Sequence, residues 1–137
     1  MNRLTTKGIK AILFDLDGTL VDTAPDFVVA GNALRQSYNL PPLEPAHIAM
    51  HVSNGAAAVT QHCLEINPDC KDFELKRNQL LAHYEQQLGK KSNVYPALQP
   101  FLDKLTETVW GIVTNKPLRY TKPVSYTHLT LPTTMLV

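Results

Sequence analysis

The sequence predicts an α/β fold in which parallel strands carry a long helical insert. Two short apolar runs, 10–14 and 109–113, are followed by polar residues, as is typical of strands in a parallel sheet. Between them, apolar residues recur with a spacing near that of an α-helix. A strand, a helical crossover and a second strand together predict a right-handed parallel unit. We expect the first strand to be buried on both faces.

The composition is that of an ordinary globular protein. Of 137 residues, 44% are hydrophobic and 18% charged, and the net charge is +1. These values exclude disordered and collagen-like chains, and they do not indicate a nucleic acid or membrane partner. Asp15 and Asp17 interrupt the N-terminal apolar run, so we expect no secretory signal. We expect Cys63 and Cys70 to be reduced, as in a cytoplasmic protein.

The insert begins with two predicted helices. Thr23 and Pro25 mark the start of the first, because proline is favoured in the first turn of a helix. Pro45 opens the second helix after the helix-breaking sequence NLPPLEP. The segment 53–55, Ser-Asn-Gly, then interrupts the helical pattern, which resumes over 56–66.

Two further helices and a strand complete the pattern. Phe73, Leu80 and Tyr84 mark one face of a third helical stretch, which Gly89 can end. Apolar residues spaced i, i+3, i+4 and i+7 over 98–105 predict an amphipathic helix before the second strand. The segment 124–137 has no acidic residue and no helical periodicity, so we expect no helix there.

The sequence Asp15-Leu16-Asp17-Gly18 places two carboxylates just beyond the first strand. The carboxyl ends of strands are where open α/β sheets bind ligands. Two carboxylates there repel each other unless a cation lies between them, and Mg²⁺ prefers such oxygen ligands. One carboxylate could attack a phosphoryl group while the other carries a proton. The alternative interpretation is a solvated turn.

Thr114 and Asn115 follow the second apolar run. If the two strands are neighbours, Thr114 approaches Asp15 across a large separation in sequence. A hydroxyl group and nearby backbone N–H groups can hold phosphate oxygens. Taken alone, the pair is equally typical of a strand end or a helix cap.

In combination, ILFDLDGTLVD and GIVTNKP resemble the haloacid dehalogenase (HAD) superfamily of phosphotransferases. The resemblance covers residues 9–123 and implies a Rossmann-like core with an inserted α-helical cap. It assigns 1–21 and 94–123 to the core and 22–93 to the cap, and it leaves 124–137 as an atypical tail.

The resemblance also implies roles for four residues. Asp15 would attack phosphorus and form an aspartyl-phosphate, and Asp17 would protonate the leaving alcohol and then activate water. Mg²⁺ would be held by the Asp15 carboxylate and the Asp17 backbone carbonyl. The Thr114 hydroxyl and the Asn115 backbone would hold the transferring phosphoryl group.

The insert is similar to the cap of the phosphoglycolate phosphatase-like subfamily. Thr23 would lie at the hinge, and Ser53, Asn54 and Gly55 would face the substrate, although a simple helix break explains this segment equally well. The implied function is a Mg²⁺-dependent phosphatase acting on a small phosphorylated metabolite, either phosphoglycolate or a sugar phosphate such as N-acetylmuramic acid 6-phosphate. The alternatives are a sugar phosphomutase and an inactive fragment whose cap binds a partner.

The chain departs from the family pattern after the second motif. Relatives continue with strands that supply a lysine and an acidic pair, so the resemblance implies a C-terminally truncated, marginally stable chain with impaired activity. Lys116 is not that distant lysine, and we expect it on the surface or rim of the site. His47 and His51 have a possible metal spacing, but an exposed or hydrogen-bonded pair is favoured without a third ligand.

Overall fold

A computed structural model describes residues 8–105 and 108–129. Four helices in the middle of the chain are flanked on each side by short strands. In chain order the elements are β1 (Ala11–Phe14), β2 (Val21–Asp22), α1 (Ala24–Ser37), α2 (Pro45–Val52), α3 (Gly55–Leu64), α4 (Phe73–Gln87), β3 (Asn93–Val94), α5 (Gln99–Leu102), β4 (Val109–Ile112) and α6 (Leu118–His128).

Strands β1 and β4 pair in parallel, with Ile12 opposite Trp110 and Phe14 opposite Ile112. The backbone N–H of Val113 donates to the carbonyl of Phe14 at 2.8 Å, which continues the pairing past the end of β4. This arrangement confirms the predicted α/β fold with neighbouring parallel strands. It also brings the two polar segments that follow the strands to the same edge of the sheet.

One face of β1 is open, and the expectation of burial on both faces is wrong. Ile12 and Phe14 pack against an apolar cluster centred on Trp110 and Ile112, whereas Leu13 is 57% exposed. Successive side chains of a strand point to opposite faces. The described elements cover only the face that carries Ile12 and Phe14.

Helices α1 to α4 form a separate helical insert between β2 and β3, with its own apolar core. Leu34, Ile48, Val59 and Leu80 are fully buried and come one from each helix. Thr23 immediately precedes α1 and Pro25 lies in its first turn, so the predicted start of this helix is confirmed. Burial of these side chains is the main stabilisation of the insert, because isolated helices of this length are marginal in water.

Gly31 allows close packing of α1 against α2 and α3. A methyl group at Gly31 would lie 2.9 Å from Cys63 Sγ and 3.1 Å from Ile48 Cδ1. We expect Gly31→Ala to lower the free energy of unfolding by about 1 kcal/mol, because overpacking exceeds the gain in helix propensity. Urea unfolding measures this loss. Adding Cys63→Ala should remove part of it, and equal losses in both backgrounds would contradict the steric explanation.

The two connections between core and insert run side by side. Strands β2 and β3 pair in antiparallel fashion, with Val21 opposite Val94, and the N–H of Tyr95 donates to the carbonyl of Leu20 at 3.2 Å. Asp26, fully buried in the first turn of α1, fixes the returning connection. Its carboxylate accepts from the N–H groups of Gly89 and Lys91 at 2.9 and 2.7 Å and from the Ser92 hydroxyl.

Two helices differ from the sequence-based expectation. The predicted amphipathic helix over 98–105 is only one turn long, Gln99–Leu102. Conversely, α6 continues through Pro123 to His128, so the expectation of no helix after 123 is wrong. Tyr120 and Val124, four residues apart, are both buried. Their burial offsets the backbone hydrogen bond that a proline inside a helix removes. The residues 130–137 of the predicted tail lie outside the described residues.

Candidate active site

A cavity of about 750 Å³ lies between the carboxyl ends of β1 and β4 and the helical insert. Seven of the eight residues singled out from the sequence line it: Asp15, Asp17, Ser53, Asn54, Gly55, Thr114 and Asn115. The core supplies four of them, and the loop between α2 and α3 together with the first residue of α3 supplies the other three. The site is therefore composite, with one wall from each part of the fold.

The two aspartates follow β1 in a tight turn. The N–H of Val21 donates to the carbonyl of Leu16 at 3.1 Å, and the N–H of Gly18 donates to the carbonyl of Val21 at 2.9 Å. Gly18 has a φ of +73°, a conformation that side chains with a Cβ rarely adopt. Leu16 is fully buried and anchors the turn, and its N–H donates to Asp15 Oδ1 at 2.8 Å.

Two partners orient the Asp17 carboxylate. The Thr23 hydroxyl and the Lys116 ammonium group each donate to Asp17 Oδ1 at 2.7 Å. Thr23 is 1% exposed and does not line the cavity, so it reaches the site only by holding Asp17. A charge-assisted hydrogen bond of this kind fixes a carboxylate more firmly than a neutral one does.

The Lys116 side chain is buried in the cavity wall, and the expectation of a surface lysine is wrong. Its side chain is 6% exposed, and its ammonium group lies 2.5 Å from the Tyr84 hydroxyl and 5.1 Å from the centroid of that ring. Tyr84 belongs to α4 and stacks on Phe27 at a centroid distance of 3.9 Å. The insert thus covers a lysine that sequence alone places next to a strand end.

The Tyr84 hydroxyl stays protonated near the Asp17 carboxylate. Burial, followed by the negative charges of Asp17 and Asp26, raises the pKa of Tyr84 well above its ordinary value. The hydroxyl can therefore accept from Lys116 without becoming an anion.

Thr114 and Asn115 lie between β4 and α6. The Thr114 hydroxyl accepts from the backbone N–H of Lys116 at 3.1 Å, which holds it in the loop that precedes the helix. The first residues of α6 also contribute to the cavity wall, through Arg119 and Tyr120. The free N–H groups at a helix N-terminus favour anions. This side of the cavity therefore suits a negatively charged group.

Asp15 and Asp17 fit a divalent cation by the chemistry of their donors. In the described part of the chain, the hydrogen bonds to these carboxylates all reach Oδ1, so each keeps Oδ2 for another partner. Mg²⁺ commonly takes one or two protein carboxylates together with water and substrate phosphate. Within residues 8–105 and 108–129, no group of three or more histidine, cysteine or acidic side chains is arranged to hold a metal by itself.

Sequence reasoning missed the cavity wall that α4 provides. Arg77, Leu81 and Tyr84 all line the cavity, and their spacing of four and three residues places them on one helix face. That spacing was readable in the sequence, but Arg77 is polar and does not belong to an apolar stripe. Only the contact of Tyr84 with Lys116, which binds Asp17, shows that this face is turned toward Asp17.

The described histidines of the helical insert are not among the residues that line this cavity. The rings of His51 and His62 are 4.1 Å apart beside a second cavity of about 540 Å³. Burial, followed by the charge of His51, lowers the pKa of His62. His47 and His51 do not belong to any metal-binding group of three in the described chain. Cys63 and Cys70 are free thiols, and burial raises the pKa of Cys63 to about 11.

The fold and the site define a class of α/β protein in which acidic and hydroxyl side chains meet at the ends of adjacent parallel strands. A family model for haloacid dehalogenase-like hydrolases matches residues 12–135. The chain belongs to this family, and the match extends past the region that the sequence motifs indicate. Among the described residues, none of the helices is long and apolar enough to span a membrane.

Similar proteins include two kinds of phosphatase. An N-acetylmuramic acid 6-phosphate phosphatase of Pseudomonas aeruginosa is 36% identical over 118 residues, 85% of this chain and 52% of the relative. A phosphoglycolate phosphatase of Chromobacterium violaceum is 34% identical over 128 residues, 89% of this chain and 58% of the relative. The chain thus spans about half the length of the curated relatives it matches.

A solved structure shows the same fold. The crystal structure of a predicted phosphoglycolate phosphatase from Haemophilus somnus superimposes with a TM-score of 0.73 at 26% identity. The match covers 98% of this chain and 64% of the other. Together with the curated relatives, it supports the similarity of this chain to the phosphoglycolate phosphatases of the family.

Proposed function

We propose that this chain is a Mg²⁺-dependent phosphomonoesterase that works through an aspartyl-phosphate. The observation that supports this most directly is that Asp15, Asp17 and Thr114 line one cavity although Thr114 is far away in sequence. A nucleophile, a proton carrier and a phosphate-holding hydroxyl are the groups that phosphoryl transfer through a covalent intermediate requires.

In the proposed reaction, an oxygen of Asp15 attacks the phosphorus atom and the bond to the leaving alcohol breaks. Asp17 gives that alcohol its proton. A water molecule then attacks the phosphorus of the aspartyl-phosphate and Asp17 takes a proton from the water. The bond between the Asp15 oxygen and phosphorus breaks, which restores the Asp15 carboxylate and releases inorganic phosphate. Lys116 and Thr23 both hold Oδ1 of Asp17, so Oδ2 is the oxygen left to carry the proton.

The Asp15 carboxylate and the Asp17 backbone carbonyl would hold Mg²⁺, which supplies charge stabilisation for the phosphoryl group when bound. Thr114 and the N–H groups around Asn115 would hold the remaining phosphoryl oxygens. We propose that the helical insert, residues 22–93, is the cap, with Ser53, Asn54 and Gly55 on the substrate side of the cavity. Closure of such an insert excludes water from the site.

Phosphate release from p-nitrophenyl phosphate, phosphoglycolate and N-acetylmuramic acid 6-phosphate tests the proposal. We expect release to require Mg²⁺, to stop with EDTA and to return when excess Mg²⁺ is added, because the carboxylates need a cation.

Each other outcome decides against the proposal. Release that persists in EDTA would contradict the metal dependence. No release from any of the three esters would favour the inactive, partner-binding alternative. Interconversion of sugar phosphate isomers without phosphate release would identify a phosphomutase.

A further inference from the structure

Arg77 is the cationic side chain that the described part of the helical insert contributes to the cavity, whereas Lys116 and Arg119 follow β4. Arg77 and Tyr84 lie on the same face of α4, seven residues apart, and both line the cavity. A rise of 1.5 Å per residue separates them by about 10 Å along the helix axis. The Tyr84 hydroxyl contacts Lys116, which binds Asp17, so Tyr84 marks the end of the helix face that is close to the phosphate site.

Arg77 lies beyond that point, in the direction of the N-terminus of α4. Long helical side chains lean toward the helix N-terminus. The Tyr84 side chain leans the same way, so the guanidinium group and the Tyr84 hydroxyl keep about the separation of their backbone positions. The same cavity also receives the loop 53–55, which contributes polar groups to its insert side.

The guanidinium group is only partly satisfied by the protein. Arg77 Nη2 lies 2.8 Å from Glu74 Oε2, but Glu74 is 68% exposed and the pair is of the weak i, i+3 surface type. Arg77 Nε is buried and has no hydrogen-bond partner among the described residues. An arginine in this state keeps donor capacity for a planar anion, and carboxylates match its geometry.

We propose that Arg77 binds a carboxylate of the substrate, at the opposite end of the cavity from the phosphoryl group. This inference rests on the proposed phosphatase function and narrows its substrate class. The substrate is a phosphomonoester whose phosphate and carboxylate are separated by a spacer the size of a sugar ring. In phosphoglycolate, a single methylene carbon separates these groups, which is too short a spacer to span the roughly 10 Å between the two ends of this helix face.

N-acetylmuramic acid 6-phosphate has the required form, because its lactyl carboxylate lies across the sugar ring from its phosphate. The cavity of about 750 Å³ also falls in the range of sites for molecules of that size. N-acetylglucosamine 6-phosphate has the same ring and the same phosphate but lacks the lactyl group that carries the carboxylate. The two compounds therefore form a matched pair that differs only in this group, and the Arg77 variants assign the difference to the carboxylate.

Calorimetric titration of both sugar phosphates into the Mg²⁺-loaded protein tests the inference, with Asp17→Asn introduced to prevent turnover. This change keeps the Asp15 carboxylate and the backbone carbonyl of residue 17, which would hold Mg²⁺. We expect N-acetylmuramic acid 6-phosphate to bind about tenfold or more tightly than N-acetylglucosamine 6-phosphate, as one charge-assisted hydrogen-bonding pair can provide. Arg77→Gln should abolish that difference and leave the affinity for N-acetylglucosamine 6-phosphate unchanged. Arg77→Lys should keep part of the difference, because it keeps the charge without the planar fork.

Glu74→Gln is the matched control, since it removes the partner of Arg77 and keeps the guanidinium group. It should leave the preference for the acid intact or increase it. The thermal midpoints of Arg77→Gln and Glu74→Gln are compared to establish that both variants are folded. If they match, an equal loss of affinity for both compounds in Arg77→Gln would overturn the inference. Equal affinities in the protein with Arg77 intact would overturn it directly.

The experiment separates this inference from the proposed function. Both compounds carry the same phosphate, so failure of both to bind would contradict the phosphate site itself. Binding of both with no preference for the acid would leave the phosphate site in place and reject only the role of Arg77.

Discussion

Replacing Asp15 with asparagine should abolish phosphate release while the fold is retained. An amide oxygen is a far weaker nucleophile than a carboxylate, and loss of a catalytic nucleophile lowers turnover at least about a thousandfold. The side chain is exposed at the end of β1, and the N–H of Leu16 can still donate to the asparagine Oδ1. Single-turnover phosphate release and the thermal midpoint, measured on the same preparation, check both parts of this prediction.

Asp69→Asn provides the matched control. Asp69 lies on the exposed loop between α3 and α4, and its replacement removes one negative charge, as Asp15→Asn does. It should leave phosphate release unchanged. Substantial turnover in Asp15→Asn would reject Asp15 as the nucleophile. A large drop in its thermal midpoint would instead show that the carboxylate is structural.

Replacing Asp26 with alanine should cause the largest loss of stability among the polar substitutions considered. The change removes the acceptor for two backbone N–H groups and for the hydroxyl of the buried Ser92. At about 1 kcal/mol for each of three lost bonds, the free energy of unfolding should fall by about 3 kcal/mol. That is a large part of the total stability of a small domain. Urea unfolding at fixed pH measures the loss.

Two further variants show whether this carboxylate acts through its partners. Ser92→Ala removes one of the three bonds and should cost about 1 kcal/mol. Asp69→Ala removes an exposed carboxylate and should change stability by less than about 0.5 kcal/mol. If Asp26→Ala costs no more than Asp69→Ala, the connection at 89–92 does not depend on Asp26.

Features that depend on neighbours in sequence were predictable. The start of α1 follows from Thr23 and Pro25, and the pairing of β1 with β4 follows from two apolar runs that flank a helical pattern. Local turn chemistry and hydrophobic spacing operate within a few residues, so a single sequence contains them. The meeting of Asp15 and Thr114 in one cavity follows from parallel pairing alone.

Features that depend on packing between distant segments were not predictable. The burial of Lys116 requires Tyr84 from α4, and the cavity position of Arg77 requires the whole insert to lie over the strand ends. The extension of α6 past Pro123 depends on burial of Val124 in the core. In each case tertiary contact overrides local preference, as it commonly does for helices and buried charges.

The position of Lys116 links the two halves of the molecule. Its ammonium group lies between an acidic oxygen of the β1 turn and the phenol of an insert helix. A hinge motion that lifts α4 away must break the contact with Tyr84 and admit solvent around the remaining ion pair. Attraction between opposite charges falls as the surrounding dielectric constant rises. Opening of the cleft would therefore also weaken the ion pair between Lys116 and Asp17.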